Sequence, residues 1–256
     1  MTRLFLTDTD LHSRFVTIKG EKARYLVTVL RCRTGDPLFI HDEKGNVYSA
    51  TIIGVTNKEV SAELIEKIGL QAESPLNITL LQGLLKGEKM DLVIQKATEL
   101  GVREIVPVVT ERCQVRQTRK LGRWTKIAEE ASRQSGRNTV PLIGETVEFK
   151  ELGAVSSQEG IIFWEQGGEK FAEALDRFKG REKISLFTGP EGGFSEDEIK
   201  AASEKGFVRT TLGRRILRAE TAAITAVAIT QYALGDMGAR THQDKAPENT
   251  RFCAGK

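Results

Sequence analysis

Thr188-Gly189-Pro190-Glu191-Gly192-Gly193-Phe194-Ser195 follows the apolar run Ile184–Thr188 and precedes a helical pattern over Glu196–Lys205. Ser195 and Glu198 have the spacing of a capping box, which marks where that helix begins. Three glycines and a proline make a sharp turn with few side chains, where a ligand can meet backbone N–H and C=O groups. An ordinary strand-to-helix turn has the same composition. The spacing is not GxGxxG, and GxxxxGK followed by Ser or Thr is absent, so a nucleotide-type ligand here calls for a fold other than the Rossmann or P-loop types.

Outward from this turn, strand and helix patterns alternate. Strands are expected at Ile78–Gln82, Glu104–Val109, Gly160–Trp164, Ile184–Thr188 and Val208–Leu212. Helices are expected at Glu88–Leu100, Leu121–Ser135, Glu169–Phe178, Glu196–Lys205 and Ala219–Leu234. Such alternation predicts an α/β fold with a mainly parallel sheet covered on both faces. Upstream, Arg14–Ile18, Pro37–His41, Val47–Val55 and Glu59–Ile65 are β-branched or aromatic runs separated by turn residues. With one helix over Glu21–Leu30, they predict a small β-barrel. Three regions follow: a barrel over residues 1–70, a larger unit over 74–236 after a linker at 67–75, and a disordered tail over 237–256.

Leu212-Gly213-Arg214-Arg215-Ile216-Leu217-Arg218-Ala219-Glu220-Thr221-Ala222 leads into an alanine-rich helix. Small residues this dense allow a second helix or a flat ligand to come close. Glu220 suits the positive end of the helix and Arg218 does not, so Arg218 is expected to hold an anion or a substrate carbonyl.

A third segment is basic. Residues 112–137 hold eight Arg and Lys against Glu129 and Glu130, a net +6 in a chain of net +3. A solvated face accounts for such a run, and so does an anionic polymer. Arg133, Gln134 and Arg137 at its end combine charge with hydrogen-bonding capacity, as contacts to phosphates and base edges do.

The remaining composition narrows the class. With 39% apolar and 29% charged residues and no apolar run near about 20, no membrane span is expected. The start, Met1-Thr2-Arg3-Leu4-Phe5-Leu6, does not read as a secretory signal. Cys32, Cys113 and Cys253 are odd in number and far apart, which argues against a disulfide framework or a metal site and fits a reducing cytosol. His12, His41 and His242 read as structural or surface residues, Trp164 as core, and Trp124 as either core or contact.

The chain resembles the bacterial methyltransferases that modify N3 of a uridine in 16S ribosomal RNA, of the SPOUT class. The residues that carry the resemblance are Lys86–Met90, Gln95–Gly101, Ser132–Arg137, Gly189–Phe194 and Leu212–Ala222. Arg3-Leu4-Phe5, Tyr25-Leu26, Val29-Leu30-Arg31 and Gly35-Asp36 are similar to that family's PUA-like barrel, so the likeness spans residues 1–236. It implies a trefoil-knotted α/β domain, a cytoplasmic homodimer, S-adenosyl-L-methionine as methyl donor, 16S rRNA or the small subunit as partner, and no metal or membrane.

The resemblance places the donor among Leu186, Thr188, Gly189, Glu191, Gly192 and Gly193, then Leu212, Gly213, Ile216 and Leu217, with Ala222 beneath. Expected RNA contacts are Arg3 and Arg31 in the barrel and Arg112, Arg116, Arg119, Lys120, Arg133, Gln134 and Arg137 beyond it. The expected catalytic residues are Arg218, Glu220 and Arg133, with the basic segment of one subunit serving the donor loop of the other.

Uracil N3 must lose a proton before it attacks, so alignment and stabilisation of the developing anion are the enzyme's main tasks. Arg218 suits the second because a guanidinium stays charged and presents a planar fork of donors. Glu191, Glu220 or water could take the proton. Two rival readings stay open. A non-catalytic RNA-binding protein would fail a donor titration, and a knotted methyltransferase acting on tRNA or on ribose would give a different modified nucleoside.

Overall fold

A computed structural model describes residues 2–6, 13–56, 58–69, 72–154 and 159–238. His12, Asn57, His242, Cys253 and the tail from residue 239 onward lie outside the described residues, as do residues 70 and 71 of the expected linker.

The first sheet contains β1 (Thr2–Phe5), β2 (Phe15–Lys19), β3 (Pro37–His41), β4 (Val47–Val55) and β5 (Glu59–Ile68) in the order β1-β3-β4-β5-β2. Among the described pairings of this sheet, only that of β1 with β3 is parallel. Leu4 on one edge strand and Val16 and Ile18 on the other share a core with Leu38, Ile40, Ala50, Ile52, Val60 and Ala62. The sheet therefore curls around a single interior. The expected helix is split: α1 (Gly20–Arg24) continues as a π-helical turn over Tyr25–Val29. β5 also runs three residues past its expected end, into the stretch read as linker.

The second sheet has β6 (Asn77–Gly83), β7 (Glu104–Val109), β8 (Leu142–Ile143), β9 (Val147–Glu148), β10 (Gly160–Phe163), β11 (Glu169–Lys170), β12 (Lys183–Thr188) and β13 (Phe207–Thr211). Its order is β11-β13-β10-β12-β6-β7-β8, with β9 also on β7, and the described pairings are all parallel. The helices are α2 (Lys89–Glu99), α3 (Leu121–Ser135), α4 (Phe171–Asp176), α5 (Glu196–Glu204) and α6 (Ala219–Leu234).

Successive strand residues point to opposite faces, and here both faces are apolar. Ile78, Leu80, Ile184 and Leu186 pack under α2, α3, α4 and α6, whereas Leu81, Val106, Ile162 and Phe187 pack under α5. The structure departs from the sequence reading in two places and decides a third that was left open. Glu169 and Lys170 pair with β13 before α4 begins, and β8 and β9 are two-residue strands too short to leave a periodicity. Trp124 is core, 1% exposed, its indole N–H donating to Asp91 Oδ1 at 3.0 Å.

Candidate functional site

β13, β10 and β12 are neighbours and run in parallel, so the loops that leave their carboxyl ends converge. Ligands of open α/β sheets bind in such crevices. Here the loops enclose a cavity of about 410 Å³, within the roughly 300–1,000 Å³ of small-molecule sites.

The loop after β12 contributes Gly189–Phe194 to its wall, and its shape is held from outside. The Thr188 hydroxyl donates to Gln82 Oε1 at 2.8 Å, and Gln82 Nε2 donates to the Gly189 carbonyl at 3.2 Å. Gly193 has φ +70°, a conformation L side chains avoid, and a Cβ there would meet Glu165 Oε1 at 3.0 Å. A Cβ on Gly192 would lie 2.8 Å from Arg112 Cβ and 2.9 Å from the Arg112 carbonyl oxygen. Gly192 thus serves loop-to-loop packing as well as any ligand.

The capping box is present, and Glu198 does double duty: Oε2 accepts from Ser195 N–H at 3.0 Å and Oε1 from Glu111 N–H at 2.8 Å. Glu191 Oε1 accepts from Lys86 N–H at 3.1 Å and Lys89 Nζ at 3.0 Å. Burial pushes the Glu191 carboxyl up, but the Lys89 hydrogen bond and charge and the backbone N–H groups outweigh it, so it lies below the ordinary carboxylate value.

The loop after β13 supplies Thr211, Leu212 and Arg215–Ala219, and α6 adds Glu220 and Ala222. Arg218 is the N-cap residue of α6, exposed, and makes no side-chain cap. Glu220 Oε2 is buried and unpartnered, as are Glu191 Oε2 and Trp164 Nε1, which line the same cavity.

Of the residues the sequence nominated for the donor, Thr188, Gly189, Glu191, Gly192, Gly193, Leu212, Ile216, Leu217 and Ala222 line this cavity, together with Arg218 and Glu220. Leu186 does not: it is fully buried in the core facing α6. Gly213, at φ +103°, shapes the turn without lining the cavity. The third wall, Phe163, Trp164 and Glu165 after β10, escaped the sequence reading, as did Lys89. Trp164, read as core, packs against the core on the α5 face and also lines the cavity, with Arg209 over its ring at 5.5 Å. No motif marks this loop; the usable signal was its position at the carboxyl end of a parallel strand.

Much of the basic segment is already partnered. Arg137, read as an RNA contact, is 3% exposed; it donates to the Thr98 and Val102 carbonyls and pairs with Glu73 at 2.6 Å. Its guanidinium is used up inside the protein. Arg133 lies between Glu129 and Glu130, 4.9 Å from the Tyr25 ring, and does not line the cavity of its own chain. Gln134 donates to Glu130, and Arg3 donates to the Arg133 carbonyl at 3.4 Å. Arg31, Arg112, Arg116, Arg119 and Lys120 are exposed, and none of them has a carboxylate partner among the described residues. No helix among the described residues is long and apolar enough to cross a membrane.

Comparison with known proteins adds a lineage to this geometry. Residues 72–231 match the RNA methyltransferase domain family and residues 18–65 the RNA methyltransferase PUA domain family. The chain is 31% identical over 228 residues to the ribosomal RNA small subunit methyltransferase E of Bacillus subtilis, covering 84% of this chain and 89% of that protein. It is 32% identical to the protein of the same name from Buchnera aphidicola, covering 91% and 94%. Among solved structures, the ribosomal RNA small subunit methyltransferase E of Neisseria gonorrhoeae bound to S-adenosyl methionine superposes with a TM-score of 0.85 at 37% identity, over 93% of this chain and 99% of that one.

Proposed function

Since this chain belongs to the RNA methyltransferase family that contains the ribosomal RNA small subunit methyltransferases E, we propose that it methylates N3 of a uridine in 16S rRNA with S-adenosylmethionine as donor. The observation that carries the reading is the cavity at the ends of β10, β12 and β13, bordered by Arg218. Its walls fit the donor. Phe163, Leu212, Ile216 and Leu217 offer apolar surface to an adenosine, and the unpartnered Glu191 Oε2 offers an acceptor to a cationic group. When bound, the donor supplies an electrophilic methyl group on a sulfonium.

The protein's own residues do the remaining work. The Gly189–Gly193 loop, braced by Gln82, Lys86 and Lys89, holds the donor's place. Arg218 stabilises negative charge on the uracil oxygens as N3 loses its proton. Arg31, Arg112, Arg116, Arg119 and Lys120 meet RNA phosphates. The working unit is a cytoplasmic homodimer with a knotted catalytic domain. Tyr232 at 69% exposure and Ile229 at 40%, on α6, supply apolar surface for the second copy.

The test is to incubate the protein with labelled donor and small ribosomal subunits lacking the modification, then map the label by mass spectrometry. N3-methyluridine at one position of 16S rRNA is expected. Label on a ribose or on tRNA, or none at all, overturns the reading.

A further inference from the structure

Two carboxylates in the cavity wall each keep one buried oxygen with no partner, Glu191 and Glu220, yet their surroundings differ. Glu191 is held by Lys89 Nζ and Lys86 N–H and lies below the ordinary carboxylate value. A carboxylate so stabilised as the anion is a weak base. The third cavity carboxylate, Glu165, is exposed to water. Glu220 is different. Its side chain makes no hydrogen bond or ion pair among the described residues, is half-buried, and sits in the first turn of α6, two residues after Arg218 at the cavity's edge. Lys89, Arg215 and Arg218 are the cations lining the same cavity, and none of them is paired with Glu220.

We propose that Glu220 takes the proton from uracil N3, an assignment that rests on the function proposed above. The N3–H bond breaks with its electron pair left on nitrogen, and the proton passes to a Glu220 carboxylate oxygen. The nitrogen pair forms the N–CH3 bond while the methyl–sulfur bond breaks with its pair going to sulfur. A sulfonium and a carboxylate become a neutral thioether and a carboxylic acid, which returns its proton to solvent. Arg218 and Glu220 then divide the work, one stabilising the uracil oxygens and the other accepting from the nitrogen between them.

Glu220→Gln keeps the size and polarity of the side chain and removes its capacity to take a proton. Its kcat at neutral pH should fall by about 10²–10⁴-fold, the usual contribution of a positioned base. Donor affinity by calorimetry, RNA affinity and the thermal midpoint should stay at wild-type values. The kcat defect should shrink as pH rises toward the range where uracil N3 ionises unaided, and Glu220→Asp should retain part of the activity. Donor affinity that falls in step with kcat would make Glu220 a donor ligand instead, and a defect constant across pH, or a kcat near wild type, would also overturn the assignment. The functional reading fails separately, if wild-type protein places no methyl group on uracil N3.

Discussion

At the scale of single residues, Arg137 shows how a charge can be spent inside a protein. Its guanidinium donates to two carbonyls and to Glu73, whose carboxylate also accepts from Asn138 and Thr139 N–H at 2.8 and 3.1 Å. Burial pushes the Glu73 carboxyl up, but the Arg137 hydrogen bond and charge and the two N–H groups bring it below the ordinary value. A depressed folded value means the stability is present in full above the unfolded carboxylate value of about 4.3 and is lost as pH falls through the folded one. Glu73→Gln should therefore cost about 3 kcal/mol at neutral pH, where Arg137 is left buried without its counter-charge. Urea unfolding between acid and neutral pH checks this: the gap from wild type must narrow as pH falls. A gap constant with pH would mean that Glu73 acts by packing alone.

At the scale of elements, the loop between β12 and α5 and the turn after β7 form one unit. Gly192 abuts Arg112, Arg112 Nη1 donates to the Gly192 carbonyl at 3.4 Å, and Glu111 N–H reaches Glu198. Even one added methyl group at Gly192 must separate the two segments. Gly192→Ala should cost about 1–3 kcal/mol, a fall of several degrees in thermal midpoint. Donor affinity should fall with it, because the same loop lines the cavity. Calorimetry and thermal unfolding on one preparation decide the point: a weakened donor affinity at an unchanged midpoint would make Gly192 a ligand contact only. The capping box of this loop was legible in the sequence because capping is set by residues three apart. The abutting Arg112 was not, because nothing local links positions 80 residues apart.

At the scale of the whole molecule, the curled sheet docks on α3. Arg3 reaches the Arg133 carbonyl, Lys126 pairs with Glu21 at 3.1 Å, and Arg133 lies over Tyr25. Lys126 and Arg133 of the basic run thus join the two units together. The exposed cations of the run that have no carboxylate partner among the described residues lie along residues 112–120, ahead of α3. Replacing Arg116, Arg119 and Lys120 together by alanine should flatten the slope of log RNA affinity against log salt by about 2–3 units, because each phosphate left without its cation keeps its counterion. An unchanged slope would mean that these side chains are only a solvated face.

Many element boundaries, and the small-residue make-up of the two loops that line the cavity, were readable along the chain. The extents of β3, β4, β7, α3 and α6 match the expected ones residue for residue. Periodicity, caps and glycine turns are local, and each is written within a few positions. The tertiary structure alone decided which of the cavity's walls meet and which charges remain free. Trp164 and Glu165 face Gly193 and Leu212 because two crossovers place β10 between β12 and β13. Arg137 is consumed because Glu73, 64 positions earlier, is folded against it. Both outcomes depend on contacts between distant positions, which composition and spacing do not encode.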